Sequence, residues 1–430
     1  MKFHETHPEN EAGWELIFRA LRHKNYRLFF SGQSISLIGT WMQRIAIRWL
    51  VYRLTYSAFL LGVVGFTGQI PIFFLTPFAG VLADRLNRRH IVIVTQILAM
   101  VQALILAVLV LTGNIAVWHI ILLSIFIGIV DAFDLPTRQA FLIEMVENKK
   151  DLGNAIALNS SMVNAAQLLG PAVAGLLIAA IGEGMCFLLN GLSFLAVIIS
   201  LLAMKMTPRQ IETSSIHGLK RLKEGVYYSF RFIPIRSVLL LIALISLMGM
   251  PYMLLMPIFA KDVLHGGPRT LGFLMGSSGA GALMGAFFLA SRKSILGLEK
   301  WIAVAASIFG IGLIAFSLSR IFWFSSLLML LTGFGMMVQH ASSNTVLQTV
   351  VDEDKRGRVM SLYITSMRGM APFGSLLIGG MASMIGAPNA LMIGGASCIL
   401  GSILFAKKLP LLEEMIRPIY LRMGILRKKS

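Results

Sequence analysis

Charge is scarce in this chain. Only 13% of the 430 residues are Asp, Glu, Lys or Arg, and acids number 20 in all. A water-soluble domain carries about twice that charged fraction. With 56% hydrophobic residues and a mean hydropathy of +0.77, the chain cannot clothe itself in a polar surface. Lipid is the solvent that such a composition fits. Cysteine is almost missing too: Cys186 and Cys398 both sit in apolar runs, so no disulfide framework is implied. The first 27 residues hold five basic groups and no apolar signal core, which excludes a cleavable secretory peptide as the expected start. Trp14, Ile17, Phe18 and Leu21 are spaced as on one face of a short helix lying on a membrane surface.

Enzyme signatures are missing as well. There is no G-x-x-x-x-G-K-[ST] phosphate loop, so the chain itself does not use ATP. His4-Glu5-Thr6-His7 is one residue short of the helical zinc motif, and Asp352, Asp354 and Gly357 imitate only the start of a calcium loop. No metal and no cofactor are expected. The net charge of +18 would suggest nucleic acid in a soluble protein. Here the basic groups sit in short clusters between apolar runs, a membrane-topology pattern, and no nucleic-acid partner is expected.

What is present is a succession of long apolar runs. A spanning helix needs roughly 20 apolar residues. Twelve such runs lie near 28–54, 58–83, 91–112, 116–138, 154–181, 185–204, 237–260, 270–291, 300–319, 322–344, 358–385 and 387–406. The expected fold is an all-α membrane protein with twelve transmembrane helices in two six-helix pseudo-repeat bundles. The expected organisation is an N-terminal bundle over 1–204 with its surface segment, a cytoplasmic linker over 205–236, a C-terminal bundle over 237–406 and a basic tail over 407–430.

Orientation follows from Lys and Arg. Of 38, 31 fall in segments on the side of the chain termini and four on the other side. The positive-inside rule then puts both termini and the linker in the cytoplasm. A shift of 204 residues places Gly170, Gly175, Gly182 and Gly191 on Gly374, Gly379, Gly386 and Gly395. An internal repeat of six spans is a transporter signature, with two bundles rocking about a central site.

Polar groups inside a membrane are costly, which makes them candidate functional residues. Gln33, Ser36, Thr40, Gln43, Arg44 and Arg48 share about 140° of the first span, and Ser124, Gly128, Asp131, Asp134 and Arg138 about 120° of the fourth. Both faces should be wet. Asp131 or Asp134 could exchange a proton under the control of an arginine; a permanent salt bridge or a cytoplasmic gate is the structural alternative. At 1.5 Å per residue, Arg44 is about 24 Å from the inner end of its span and Asp134 within about 10 Å of its own, so those two should not touch. Asp134 with Arg138 fits a gate. Gly333, Met337, His340 and Asn344 share a face of the tenth span, and Arg368 lies within the eleventh. Thr40, Gln33, Gln43, Arg44, Arg48, His340, Asn344 and Arg368 are therefore the cavity-lining candidates. Gly170-Pro171 with Gly175 allows close helix packing and a bend in the fifth span.

Between spans two and three stands Gly80-Val81-Leu82-Ala83-Asp84-Arg85-Leu86-Asn87-Arg88-Arg89. This G-x-x-x-D-R-x-x-R-R stretch, set in twelve spans, resembles the first cytoplasmic loop motif of the major facilitator superfamily. Asn87 stands where the motif has a second glycine. Gly170, Pro171 and Gly175 resemble the fifth-span motif of its antiporter branch, with Leu176 in place of the last glycine. Gly39-Thr40-Trp41-Met42-Gln43, Ala132-Phe133-Asp134-Leu135-Pro136 and Asn190-Gly191-Leu192-Ser193-Phe194 are similar to stretches of the bacterial efflux group that contains enterobactin exporters and macrolide efflux pumps.

The resemblance implies export of a small amphipathic compound, siderophore or drug-like, in exchange for protons, from a bacterial inner membrane by a monomer. Gly80, Asp84, Arg85, Arg88 and Arg89, with Asp134 and Arg138, would form a cytoplasmic gate. Asp84 would pair with Arg138 or with the start of the eleventh span near Gly357. A uniporter or lipid flippase of the same fold, or a receptor or membrane enzyme, are the alternatives. The substrate is expected against spans one, four, seven and ten.

Overall fold

The computed structural model describes residues 18–146, 148–205, 227–292 and 294–423, less the side chains of residues 77, 81, 83, 84, 149 and 354. The segment expected to lie on the membrane surface falls mostly outside these residues, as do most of the linker and the last seven residues of the tail. Among the described residues the chain is helical, without a strand.

Twelve helical rods follow one another. They are α1 (Lys24–Thr55), α2 (Ala58–Arg85), α3 (Arg88–Leu111), α4 (Val117–Glu144), α5 (152–181), α6 (183–203), α7 (Ile233–Val263), α8 (Pro268–Ala290), α9 (Leu298–Leu318), α10 (Phe322–Val350), α11 (353–385) and α12 (Ala387–Ala406). A thirteenth, amphipathic helix, α13 (Leu409–Arg422), follows. By length and hydropathy nine of the described helices can cross a membrane, one of them the 52-residue pair α5–α6. Gly182 divides that pair with φ +80°, a value that only glycine adopts without strain. α1 falls short of the same measure because it carries Arg44, Arg48 and Arg53. α11 also falls short; it starts in a charged turn and carries Arg368 in a π-turn at Thr365–Gly369.

Local chemistry sets the turns. The Ser57 side chain caps α2 by accepting from Leu60 N–H at 3.2 Å, and Asn87 caps α3 by accepting from His90 N–H at 3.4 Å. Asn87 thus serves as a helix cap where the related motif has a glycine. Pro268 and Pro388 occupy the first turns of α8 and α12, where a missing N–H costs nothing.

The repeat is visible in the packing. Gly182 and Gly386, 204 positions apart, both have positive φ, +80° and +86°, at the turns α5–α6 and α11–α12. A Cβ on Gly175 of α5 would come within 2.6 Å of Gly272 Cα on α8, and one on Gly379 of α11 within 2.7 Å of Gly62 Cα on α2. The same shift relates Gly170 on Trp41 of α1 to Gly374 on Leu247 of α7. Small residues therefore bring the two halves together along α5–α8 and α2–α11, as close helix contact in lipid requires.

Candidate functional site

Contacts between the halves cluster at the end of the bundle away from the chain termini. There Tyr52 of α1 hydrogen-bonds Asp262 of α7. Lys261 donates to Tyr56 Oη at 2.8 Å and stands 4.1 Å from that ring's centroid. Tyr56 ends α1 with φ +50°, a strained value for a bulky residue. At the opposite end, among the described residues, a Cβ on Gly80 or on Gly357 would meet nothing within 4 Å. The molecule is thus joined at the distal end, while these two glycines have free space at the end bearing the termini.

Between these ends a cleft separates the halves. It measures about 720 Å³ with its mouth and is walled by Trp41, Arg48, Gln167, Met253, Ser278 and Met337 among others. Of the expected wall of spans one, four, seven and ten, α1, α7 and α10 line this cleft and α4 does not; α5 and α8 stand there instead and contribute Asn164, Gln167 and Ser278. Those amides gave no signal because they lie outside the two polar arcs read from the sequence.

Arg44 and Asp131 meet at 3.3 Å, linking α1 to α4. Their side chains are 44% and 26% exposed, and the Arg44 guanidinium also lies over Trp41, 4.9 Å from the ring centroid. Asp134 has the opposite environment. At 7% side-chain exposure it accepts from Thr95 Oγ1 at 2.8 Å and Gln96 Nε2 at 2.9 Å on α3, and pairs with Arg138 at 3.3 Å. All three partners belong to the N-terminal half, so Asp134 cements α3 to α4. Arg44 pairs with Asp131 and not with Asp134, although the two acids are only three residues apart on α4, so the depths expected from the span ends set Arg44 farther from Asp134 than the structure does.

One turn above Arg44, Arg48 Nη1 donates to the Met253 carbonyl at 3.4 Å, across the seam. Met253 lies between the two π-turns of α7, Ile245–Gly249 and Phe259–Val263. Such turns concentrate at functional sites. Arg368 sits in the π-turn of α11, exposed, within electrostatic range of Arg44, Asp131 and Arg138. Of these residues Arg48 lines the cleft, Arg44 and Asp131 pair with each other, and Arg368 lies outside the cleft wall.

Other expected cavity residues lie elsewhere. Gln43 is buried inside the N-terminal bundle, donating to Gln102 Oε1 and accepting from Asn190 Nδ2, each at 2.8 Å. Gln33 is 2% exposed and equally internal. The polar arc of α1 splits in two: one edge satisfies polar partners on α3 and α6, the other faces the seam. Thr40 donates to Ser36 of its own helix at 2.9 Å. His340 Nδ1 hydrogen-bonds the Met336 carbonyl at 3.0 Å, and Asn344 accepts from Gln348 at 2.9 Å. Both are half-buried on α10.

In the loop motif, Arg88 Nη1 reaches Glu144 Oε1 at 3.0 Å, and Arg89 donates to the carbonyls of Leu201 at 2.9 Å and Leu202 at 3.0 Å. These bonds fasten α3 to α4 and to the end of α6, where unsatisfied carbonyls favour a cation. Arg85 is exposed. The Asp84 side chain lies outside the described side chains, and so does its expected pairing. Pro171 lines the cleft, and Gly170 and Gly175 pack on α1 and α8. No group of three or more metal-ligating side chains occurs among the described residues.

Twelve rods in two related halves about a polar seam define a multi-pass membrane transporter. The chain belongs to the transmembrane secretion effector family of the major facilitator superfamily, whose model matches residues 17–419. That family is one of transporters, not enzymes. The staphyloferrin A transporter of Staphylococcus aureus is 27% identical, covering 88% of this chain and 95% of that protein. Macrolide efflux protein A of Streptococcus pyogenes is 21% identical over the same shares. The enterobactin exporter EntS of Shigella boydii is 24% identical over 87% and 90%. Among solved structures, a bacterial homologue of the lysosomal transporter Spinster, in an inward-facing and unoccupied conformation, superimposes with a TM-score of 0.70. It has 14% identity and covers 94% of this chain and 99% of that one.

Proposed function

We propose that this protein exports a small amphipathic compound, siderophore or drug-like, from a bacterial cell by proton antiport with alternating access. The observation that carries the reading is the Arg44–Asp131 pair. It is an accessible ion pair at a seam between two bundles, with one contact at 3.3 Å. A loosely held carboxylate at that depth can gain and lose a proton without dismantling the fold, whereas Asp134 is tied by three partners. Asp131 is therefore the proton carrier of the two candidates, and Asp134 with Arg138 a structural brace.

Alternating access is supported by the glycine contacts, which join the halves at one end. With both termini in the cytoplasm, as the basic-residue bias requires, this is an inward-facing arrangement in the inner membrane. Outward-facing states would part Tyr52 from Asp262 and close the motif end, where Asp84 would act. The membrane potential contributes about 2.3 kcal/mol per charge per 100 mV, so one proton drives a modest gradient. Relatives named for enterobactin export and macrolide efflux support the direction of transport.

The test is uptake into inside-out vesicles across a panel of siderophores and drugs, with and without an imposed pH gradient. Accumulation that depends on the gradient is expected. Flux indifferent to it would make the protein a uniporter or flippase.

A further inference from the structure

The cleft between the halves carries an unbalanced charge. Arg48 is the one charged residue lining it, and among the described residues no Asp or Glu stands there with it. Arg48 Nη1 donates to the Met253 carbonyl at 3.4 Å, longer than an ordinary N–H···O bond. Among the described residues this is its one hydrogen bond. The Met253 carbonyl is open to it because Pro257, four residues on, has no N–H to close the helical bond. A guanidinium has five N–H donors, so most of this one's remain unused.

The wall beside Arg48 also has polar groups to spare. The side-chain amides of Asn164 and Gln167 on α5 make no hydrogen bond to a described residue. Ser278 Oγ on α8 is joined to Tyr252 Oη at 2.8 Å. The rest is apolar and adaptable: Met253, Met275, Met336 and Met337 share the cleft with Trp41, whose ring is held under Arg44. Methionine reshapes itself around varied carbon skeletons. At about 720 Å³ with its mouth, the cleft has the size of a small-molecule site, about 300–1,000 Å³.

Resting on the exporter reading, we propose that this cleft binds an amphipathic monoanion, one carboxylate or equivalent oxyanion on an apolar, partly aromatic body, and that Arg48 is the residue that selects it. A lone guanidinium in an apolar cleft is costly unless an anion pairs with it, and it repels a cationic cargo. Its planar fork matches a carboxylate in two-point contact, which is stronger than a long bond to a neutral carbonyl. The cargo's acid therefore draws Arg48 from Met253, exchanging a contact between the halves for one to the ligand. The free amides on α5 take the cargo's remaining polar groups.

Two probes of one skeleton provide the test: dansyl-phenylalanine, a carboxylate, and dansyl-phenylalaninamide, its neutral isostere. Binding to the purified full-length protein in detergent is read by fluorescence anisotropy against empty micelles, with no pH gradient. The acid is expected to bind wild-type protein about tenfold tighter than the amide, the scale of one charged hydrogen-bonded contact. Arg48→Gln should weaken the acid by about tenfold, leave the amide nearly unchanged and so erase the preference. Arg48→Lys, which keeps the charge and loses the fork, should fall between. Thermal unfolding of the same samples checks that the variants are folded.

Equal or tighter binding of the amide by wild-type protein would overturn the proposal, and that comparison needs no variant. Absence of acid binding to the folded protein would overturn it too, as would an undiminished preference in folded Arg48→Gln. Because no gradient is used, these outcomes are separate from failure of the exporter reading, which is read only from vesicle flux.

Discussion

Tyr52 of α1 donates a hydrogen bond to Asp262 of α7, and this bond ties the two halves together at the end distal to the termini. Tyr56, one turn later and strained at φ +50°, accepts a second tie from the neighbouring Lys261. Strain of this kind persists where surrounding contacts enforce it, here at the seam that the proposed alternating access would open.

Tyr52→Phe removes one tie and leaves the aromatic packing. A hydrogen bond to a charged acceptor is worth about 1.5–3 kcal/mol, so the closed population should fall by roughly tenfold or more relative to the open one. Spin-label distances across the ends of α1 and α7 report it. An unchanged distance distribution would contradict the latch.

Gly175→Val places a side chain where a Cβ alone lies 2.6 Å from the backbone of Gly272. Backbone cannot yield as a flexible side chain would. The variant should insert normally, lose efficient cross-linking between α5 and α8, and transport poorly. Gly379→Val, its repeat partner against Gly62, should behave alike. Wild-type transport by either would remove the glycine contacts from the cycle.

Asp134→Ala should cost stability more than activity would predict. It leaves Arg138 uncompensated and takes the acceptor from Gln96 Nε2, while Thr95 keeps the Val92 carbonyl, and breaking a buried pair costs about 3–5 kcal/mol. Melting in detergent measures it. Asp131→Asn, with an accessible side chain and one partner, should melt close to wild type. Equal melting temperatures for the two variants would reverse the assignment of roles.

Tyr420 on α13 hydrogen-bonds Glu299 at the start of α9, and burial, with Glu299 beside it, pushes the phenol well above its ordinary value. A raised folded-state pKa means that stability from this contact is present through neutral pH and is lost only as alkaline pH strips the proton. Tyr420→Phe should increase hydrogen exchange over Leu409–Arg422, with a cost of about 1–3 kcal/mol. Unaltered exchange there would show that α13 is held by other means.

Most of the frame was legible in the residues because lipid leaves so few options. Apolar runs, basic clusters and glycines repeated at 204 marked the rods, and the structure fills them. Side-chain direction around a helix was less legible. Gln33 and Gln43 share an arc with Arg44, but in lipid a polar side chain can be satisfied by partners inside a bundle as well as by water. Gln102 and Asn190, on distant segments, decide which. Asp262 and Lys261 lay at the end of a span, where charges ordinarily report topology. Their pairing with Tyr52 and Tyr56 depends on how the halves meet, which a single chain's periodicity does not encode.

The central claim is that Asp131 carries the coupling proton. Its most direct test is pH-jump-driven substrate accumulation in inside-out vesicles containing wild-type protein, Asp131→Asn or Asp134→Asn at matched levels of insertion. The account predicts that Asp131→Asn abolishes the gradient-driven component, while Asp134→Asn retains it in whatever fraction remains folded. Full gradient-driven accumulation by Asp131→Asn would contradict it.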